Sequence, residues 1–217
     1  MQYRALKSVL ALALVAATPL AGAYEQGQFL ARAGYAAVAP NSASDSALGD
    51  IVEVEDGSSL GIAFTYMVTP AIGIEVLGAL PFSHDLKTAG PLAGVEIGET
   101  KHLPPTVSLQ WYPKLEGKLQ PYLGAGLNYT VFFDEDTTPE LNAALGGATS
   151  LELDESLGLA LQAGIDYAVN DKWMLNAAVW NIDIDTEADV RVNGVTAVVV
   201  DVEIDPWVYM IGAGYRF

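Results

Sequence analysis

Two histidines, no cysteine, and 27 acidic residues against 10 basic ones bound the chemistry open to this chain of 217 residues. Ser83, His84 and Asp85 have the types of a nucleophile, a base and an orienting acid, but an acyl-transfer triad draws its members from separate segments rather than from three neighbours. His84 therefore reads as a loop residue, and no enzymatic activity is expected. The carboxylates at Asp134-Glu135-Asp136 and at Asp183 and Asp185 have the chemistry to bridge divalent cations to phosphates of outer-leaflet lipid. No cluster has the spacing of an EF-hand loop, and a solvated, repulsive surface accounts for a net charge of -17 more simply. No metal site and no cofactor are expected. No Gly-rich phosphate loop opens a helix, and the charge has the wrong sign for nucleic acid.

The charges that remain sit inside alternating segments, so the elements that carry them come first. Arg4 and Lys7 precede an apolar run from Val9 to Ala17, followed by Ala21-Gly22-Ala23. That order of charge, short apolar stretch and small-x-small site predicts a secretory signal peptide over residues 1–23, with the mature chain starting at Tyr24. From Tyr24 onward, segments of about ten residues alternate apolar and polar positions, the pattern of membrane strands, with turns or acidic stretches between them. The alternation is clearest where Leu60, Ile62, Phe64, Tyr66 and Val68 oppose Ser59, Gly61, Ala63, Thr65 and Met67. A third strand puts Ile72, Ile74, Val76, Gly78, Leu80 and Phe82 outside. Long loops are predicted over residues 41–58, from Phe82 to Lys101, and over 134–155. Within the last of these, Thr138-Pro139 before Leu141 to Leu145 and then Gly146-Gly147 predicts a helix of one to two turns, with Thr as N-cap, Pro first and Gly after the end. Asn193-Gly194 predicts a type I′ hairpin turn.

Eight such strands, ending in Trp207, Tyr209, Ile211, Ala213, Tyr215 and Phe217 on one face, predict an all-β fold: an eight-stranded antiparallel transmembrane β-barrel over residues 24–217, with long extracellular loops and short periplasmic turns. In lipid an open sheet edge would leave backbone groups without partners, so the sheet must close. A soluble lipocalin would put its apolar face inward, whereas here the inward set holds Arg32, Glu75, Gln110, Asn128, Asp166, Asn176 and Arg216. Two aromatic belts are expected. Phe29, Tyr66, Trp111, Tyr167, Trp173, Tyr215 and Phe217 form the periplasmic one; Tyr35, Phe82, Tyr129, Phe133 and Trp207 form the outer one.

The words GIAFTYMVT with IGIEVLGALPF, HLPPT with SLQWYP, PYLGAGLNYTVFF, GIDYAVN with VWNIDIDT, and DPWVYMIGAGYRF resemble the outer-membrane protein W (OmpW) family, which includes alkane-uptake channels. The resemblance covers the mature chain except the acidic stretches around residues 40–57 and 85–100. It implies a Gram-negative outer-membrane channel with a narrow, largely apolar interior that passes small hydrophobic molecules. The implied partners are outer-membrane lipid and lipopolysaccharide, small hydrophobic solutes, and an assembly machinery reading the C-terminal strand that ends in Phe217.

Within such a barrel, strand direction places Arg32, Glu75, Gln110, Asp166, Asn176 and Arg216 in the periplasmic half of the lumen. Two arginines and two acids there would make a neutral, hydrogen-bonded plug, since an eight-stranded barrel is just wide enough for side chains to fill. Above it, Leu77, Ala79, Phe132, Trp180 and Ile182 would line an apolar funnel. A solute entering that funnel could not leave straight through the plug and would have to exit sideways into the bilayer. The alternative is a structural, adhesive or receptor barrel with a plugged lumen. Of the 27 acids, 22 fall on the extracellular side, leaving Glu25, Glu75, Glu116, Asp166 and Asp171 elsewhere.

Overall fold

The computed structural model describes residues 24–45, 52–88, 96–115 and 117–217, so the predicted signal peptide lies outside the described residues. The elements are β1 (Phe29–Ala39), β2 (Ala43–Asp45), β3 (Val52–Val54), β4 (Gly57–Thr69), β5 (Ile72–Ala79), β6 (Phe82–Thr88), β7 (Glu96–Leu103) and β8 (Thr106–Trp111). They continue with β9 (Leu119–Thr137), α1 (Pro139–Leu145), β10 (Thr149–Leu153), β11 (Ser156–Ala168), β12 (Trp173–Ile182), β13 (Asp185–Val192), β14 (Val195–Glu203) and β15 (Trp207–Arg216).

Eight of these strands close a ring in the order β1-β4-β5-β8-β9-β11-β12-β15, each neighbour antiparallel, with β15 returning to β1. Closure lets every strand spend its N–H and C=O groups on a neighbour, which a hydrocarbon environment demands. The predicted faces hold throughout this ring. Phe64, Val76, Leu109, Leu123, Leu157, Leu175 and Ile211 are exposed on the outside, while Ala63, Thr65, Ser108, Gln110, Asn176 and Met210 are buried within. On the periplasmic rim the rings of Phe29 and Tyr66 lie 4.9 Å apart and those of Trp173 and Tyr215 5.0 Å apart.

Above the outer aromatics Tyr35, Tyr129 and Trp207, the strands do not end in loops. The chain continues as two further sheets, β3-β6-β7 joined to the upper part of β9, and β10-β13-β14-β2. Among the described residues, β2, β3, β6, β7, β10 and the end of β9 fall in stretches read as long loops, and the reason, shared with the predicted β13–β14 hairpin, is a change of solvent. In β13 and β14, Asp185, Glu187, Asp201 and Glu203 are exposed while Thr186, Ala188, Val200 and Val202 are buried. That is the alternation of a strand with water outside. Phe82 is the residue this overturns: predicted on the lipid face, it is 2% exposed and stacks on His102 at 5.4 Å. The chain breaks at Leu80-Pro81, between β5 and β6, and the alternation restarts there in the opposite phase.

Helix α1 forms as its local signals dictate. Thr138 accepts from the Leu141 N–H at 3.2 Å, Pro139 opens the helix, and Gly146 closes it at φ 71°. Leu141 is buried, and Thr138 donates to the Glu96 carbonyl at 2.6 Å, fixing the helix to β7. A helix this short is not stable alone. The β13–β14 turn has positive φ at both Asn193 (51°) and Gly194 (80°), as a type I′ turn requires.

Candidate functional site

The interior divides into a polar lower lumen and an apolar upper chamber. Below, Arg32 from β1 makes two charge-assisted bonds to Asp166 of β11, from Nε to Oδ1 at 3.1 Å and from Nη2 to Oδ2 at 2.7 Å. Its Nη1 donates to Thr65 at 2.8 Å and to Glu75 of β5 at 3.3 Å. Arg32, Glu75 and Asp166 are each no more than 1% exposed. Such burial is sustainable only because the remaining lone pairs are also occupied. Gln162 donates to Glu75 at 2.9 Å and accepts from Gln110 at 3.0 Å. Asn176 donates to Asp166 at 2.8 Å, and the Tyr24 hydroxyl donates to the same carboxylate at 2.6 Å. Tyr112 accepts from Arg32 and donates to Gln110 at 2.6 Å. Inward glycines make room for this filling: a Cβ at Gly164 would lie 2.4 Å from the Tyr122 hydroxyl.

Five of the six residues expected in the plug, Arg32, Glu75, Gln110, Asp166 and Asn176, therefore meet in one network. Arg216 does not. Pairing places it opposite Leu30, with its N–H on the Lys172 carbonyl. That is at the rim, one inward position below Gly214, the residue that faces Arg32. Its guanidinium lies over the Tyr24 ring at 5.1 Å. The expected balance of two arginines against two acids becomes one against two. Thr65, Tyr112, Tyr122 and Gln162, which carry no charge to mark them, also join the network, as does Tyr24, which precedes the first strand and carries no alternation signal.

The chamber lies between the two upper sheets. Val38, Phe132, Leu151, Ile184, Val200 and Val202 are among the side chains lining a cavity of about 50 Å³, several times the roughly 10–15 Å³ that a single water needs. Of the five residues expected to line a funnel, Phe132 alone borders this cavity. Trp180 and Ile182 are each 1% exposed and lie one or two alternations below Ile184, forming the packed floor. Leu77 is buried at the top of β5, and Ala79 is half-buried beside it. His84, read as a loop residue, and His102 stand in the chamber wall with their rings stacked at 4.8 Å. Burial lowers the affinity of both for protons, that of His102 to about 3 with the proximity of His84 contributing, so both are neutral at pH 7.

The barrel wall is interrupted between β5 and β8. The β5–β8 register stops at Leu77↔Thr106, and pairing resumes between β6 and β7 at Phe82↔His102. Pro81, Pro104 and Pro105 lie in the gap; proline has no N–H to give a ladder. Asn128 of β9 holds one edge of the interruption by donating to the Pro104 carbonyl at 3.1 Å and to Thr106 at 2.9 Å.

On the outside, the carboxylates of Asp183, Asp185 and Asp205 lie within 4.8 Å of one another. The Asp205 carboxylate already accepts the Ile184 N–H at 3.2 Å, and burial with the neighbouring acids raises the Asp185 carboxyl.

Comparison with known proteins agrees with this architecture. The model of the OmpW family matches residues 25–217. Outer membrane protein W of Vibrio cholerae is 45% identical over 218 residues, covering 97% of this chain and 99% of its own length. That of Escherichia coli K12 is 41% identical, covering 98% and 100%. Among solved structures, the outer membrane protein OprG from Pseudomonas aeruginosa superposes with a TM-score of 0.82 at 39% identity, covering 92% of this chain and 99% of that one.

Proposed function

The chain belongs to the OmpW family of the Gram-negative outer membrane, and from that premise we propose that its barrel carries small hydrophobic molecules inward and releases them sideways into the bilayer. The observation that supports this reading is the pairing of an apolar cavity with a buried, hydrogen-bonded charge network beneath it. An apolar solute gains by leaving water for the chamber. It gains nothing by entering the Arg32 network, where it would have to separate buried charges. The interruption between β5 and β8 supplies the way out. Lipopolysaccharide around the extracellular acids, and an assembly machinery reading the last strand, are the partners this reading implies.

Uptake of N-phenylnaphthylamine into liposomes tests it. Ala79→Asp, a half-buried position beside the wall break, should cut the protein-dependent rate by about tenfold, the effect of a barrier of about 1.4 kcal/mol. Unchanged uptake would remove the break from the path. Uptake no faster than in protein-free liposomes would favour a structural or adhesive barrel with a plugged lumen.

A further inference from the structure

His84 and Thr100 are directly opposite one another on β6 and β7. In an antiparallel pair such residues point to the same face, their Cβ atoms about 4.5–5.5 Å apart. Both border the chamber, at 2% and 3% exposure. Each presents a polar atom with no hydrogen-bond partner in the protein: His84 Nε2 and Thr100 Oγ1. Everything else around them is apolar apart from His102 and Thr186, so two unsatisfied polar atoms side by side are the exception to the wall's chemistry.

The tautomer of His84 follows from its other nitrogen. Nδ1 lies 2.5 Å from the Glu55 carbonyl oxygen, which can only accept, so Nδ1 carries the proton. In the neutral ring Nε2 is then a lone-pair acceptor. Burial keeps the ring neutral. The ring is fixed in place as well: it stacks on His102, and a Cβ at Gly57 would lie 2.5 Å from its Cε1. A threonine hydroxyl beside it can donate. The pair therefore offers one acceptor and one donor, the complement of a single hydroxyl group.

We propose that His84 and Thr100 form a polar subsite in the chamber wall that selects apolar alcohols or phenols over hydrocarbons of the same shape, the ligand hydroxyl donating to His84 Nε2 and accepting from Thr100 Oγ1. A carboxylate is disfavoured there because it brings no proton for Nε2 and a charge into an apolar wall. This rests on the chamber being a solute-binding site and adds which solutes it prefers.

The full chain in lipid nanodiscs is titrated with 1-naphthol and with naphthalene, corrected for partitioning into protein-free nanodiscs, while the ¹⁵N resonance of His84 Nε2 is followed. The expected result is about tenfold tighter binding of 1-naphthol, the worth of about one hydrogen bond, with the Nε2 resonance moving for naphthol alone. His84→Phe and Thr100→Val should each lower the naphthol affinity towards that of naphthalene. Equal affinities with a stationary Nε2 resonance would overturn the subsite and leave the apolar chamber standing. Binding of neither compound would sink both.

Discussion

The part of the molecule within the bilayer and the part above it are both built of antiparallel strands, with opposite faces apolar. In the membrane, Leu175 faces lipid and Asn176 the lumen; a few residues further along the same stretch of chain, Asp185 faces water and Thr186 the interior. Neither arrangement belongs to the strands themselves. The outer solvent decides which face is apolar, and the interior takes what is left: a hydrogen-bonded charge network below, a hydrophobic chamber above. The contrast teaches that the two compartments are stabilised by different physics and should fail separately.

The largest effect is expected in the lower compartment. Arg32→Ala leaves Asp166 and Glu75 as buried acids without their cation, a change that costs about 3–5 kcal/mol, and urea unfolding in lipid vesicles should show the whole barrel destabilised. A comparable loss confined to the upper sheets would break the distinction. Acid acts on the upper compartment. His102 binds its proton far more weakly when folded, at about 3 against an ordinary 6.5, so the folded state holds fewer protons than the unfolded one below pH 6.5. Its contribution to stability is whole above 6.5 and is lost as pH falls through that window towards 3. Amide exchange in β6 and β7, corrected for intrinsic rates, should therefore accelerate between pH 7 and pH 4 while β1 and β15 stay protected, and His102→Phe should flatten the response. Arg216→Ala gives the smallest effect, about 0.5–1 kcal/mol, because what it removes is a contact over the Tyr24 ring. A cost near that of Arg32→Ala would return Arg216 to the network.

The same contrast explains what could be read from the sequence. The membrane barrel was legible residue by residue, because lipid on one side forces an alternation that Leu60 to Val68 or Leu157 to Tyr167 displays without exception. In the upper sheets the β13–β14 hairpin was marked by Asn193-Gly194, whereas β6, β7 and β10 put acids among their outward positions, and Asp and Glu in quantity resemble loop. The signal that would have revealed β6 is the period of two in Ser83 and Asp85 against Phe82, His84 and Leu86. Phe82 was misplaced because a proline break resets the phase. In the lumen, alternation and strand direction put Arg32 and Arg216 alike on the inward face of the periplasmic half but could not rank their heights, which depend on register between strands far apart in sequence. For the same reason His84 and Thr100 could be recognised as neighbours only once β6 and β7 were seen to pair.

The pairing of β1 with β15 joins Leu30 to Arg216, the two ends of the barrel's chain. Its timing matters as much as its geometry. No amount of progress in the middle of the sequence can form that seam, and closing so long a loop carries the largest entropy cost. Until then both terminal strands present open edges that hydrocarbon cannot satisfy. Insertion and closure must accordingly be one event, and a chain truncated before Trp207 should accumulate outside the bilayer rather than as a half-built barrel within it.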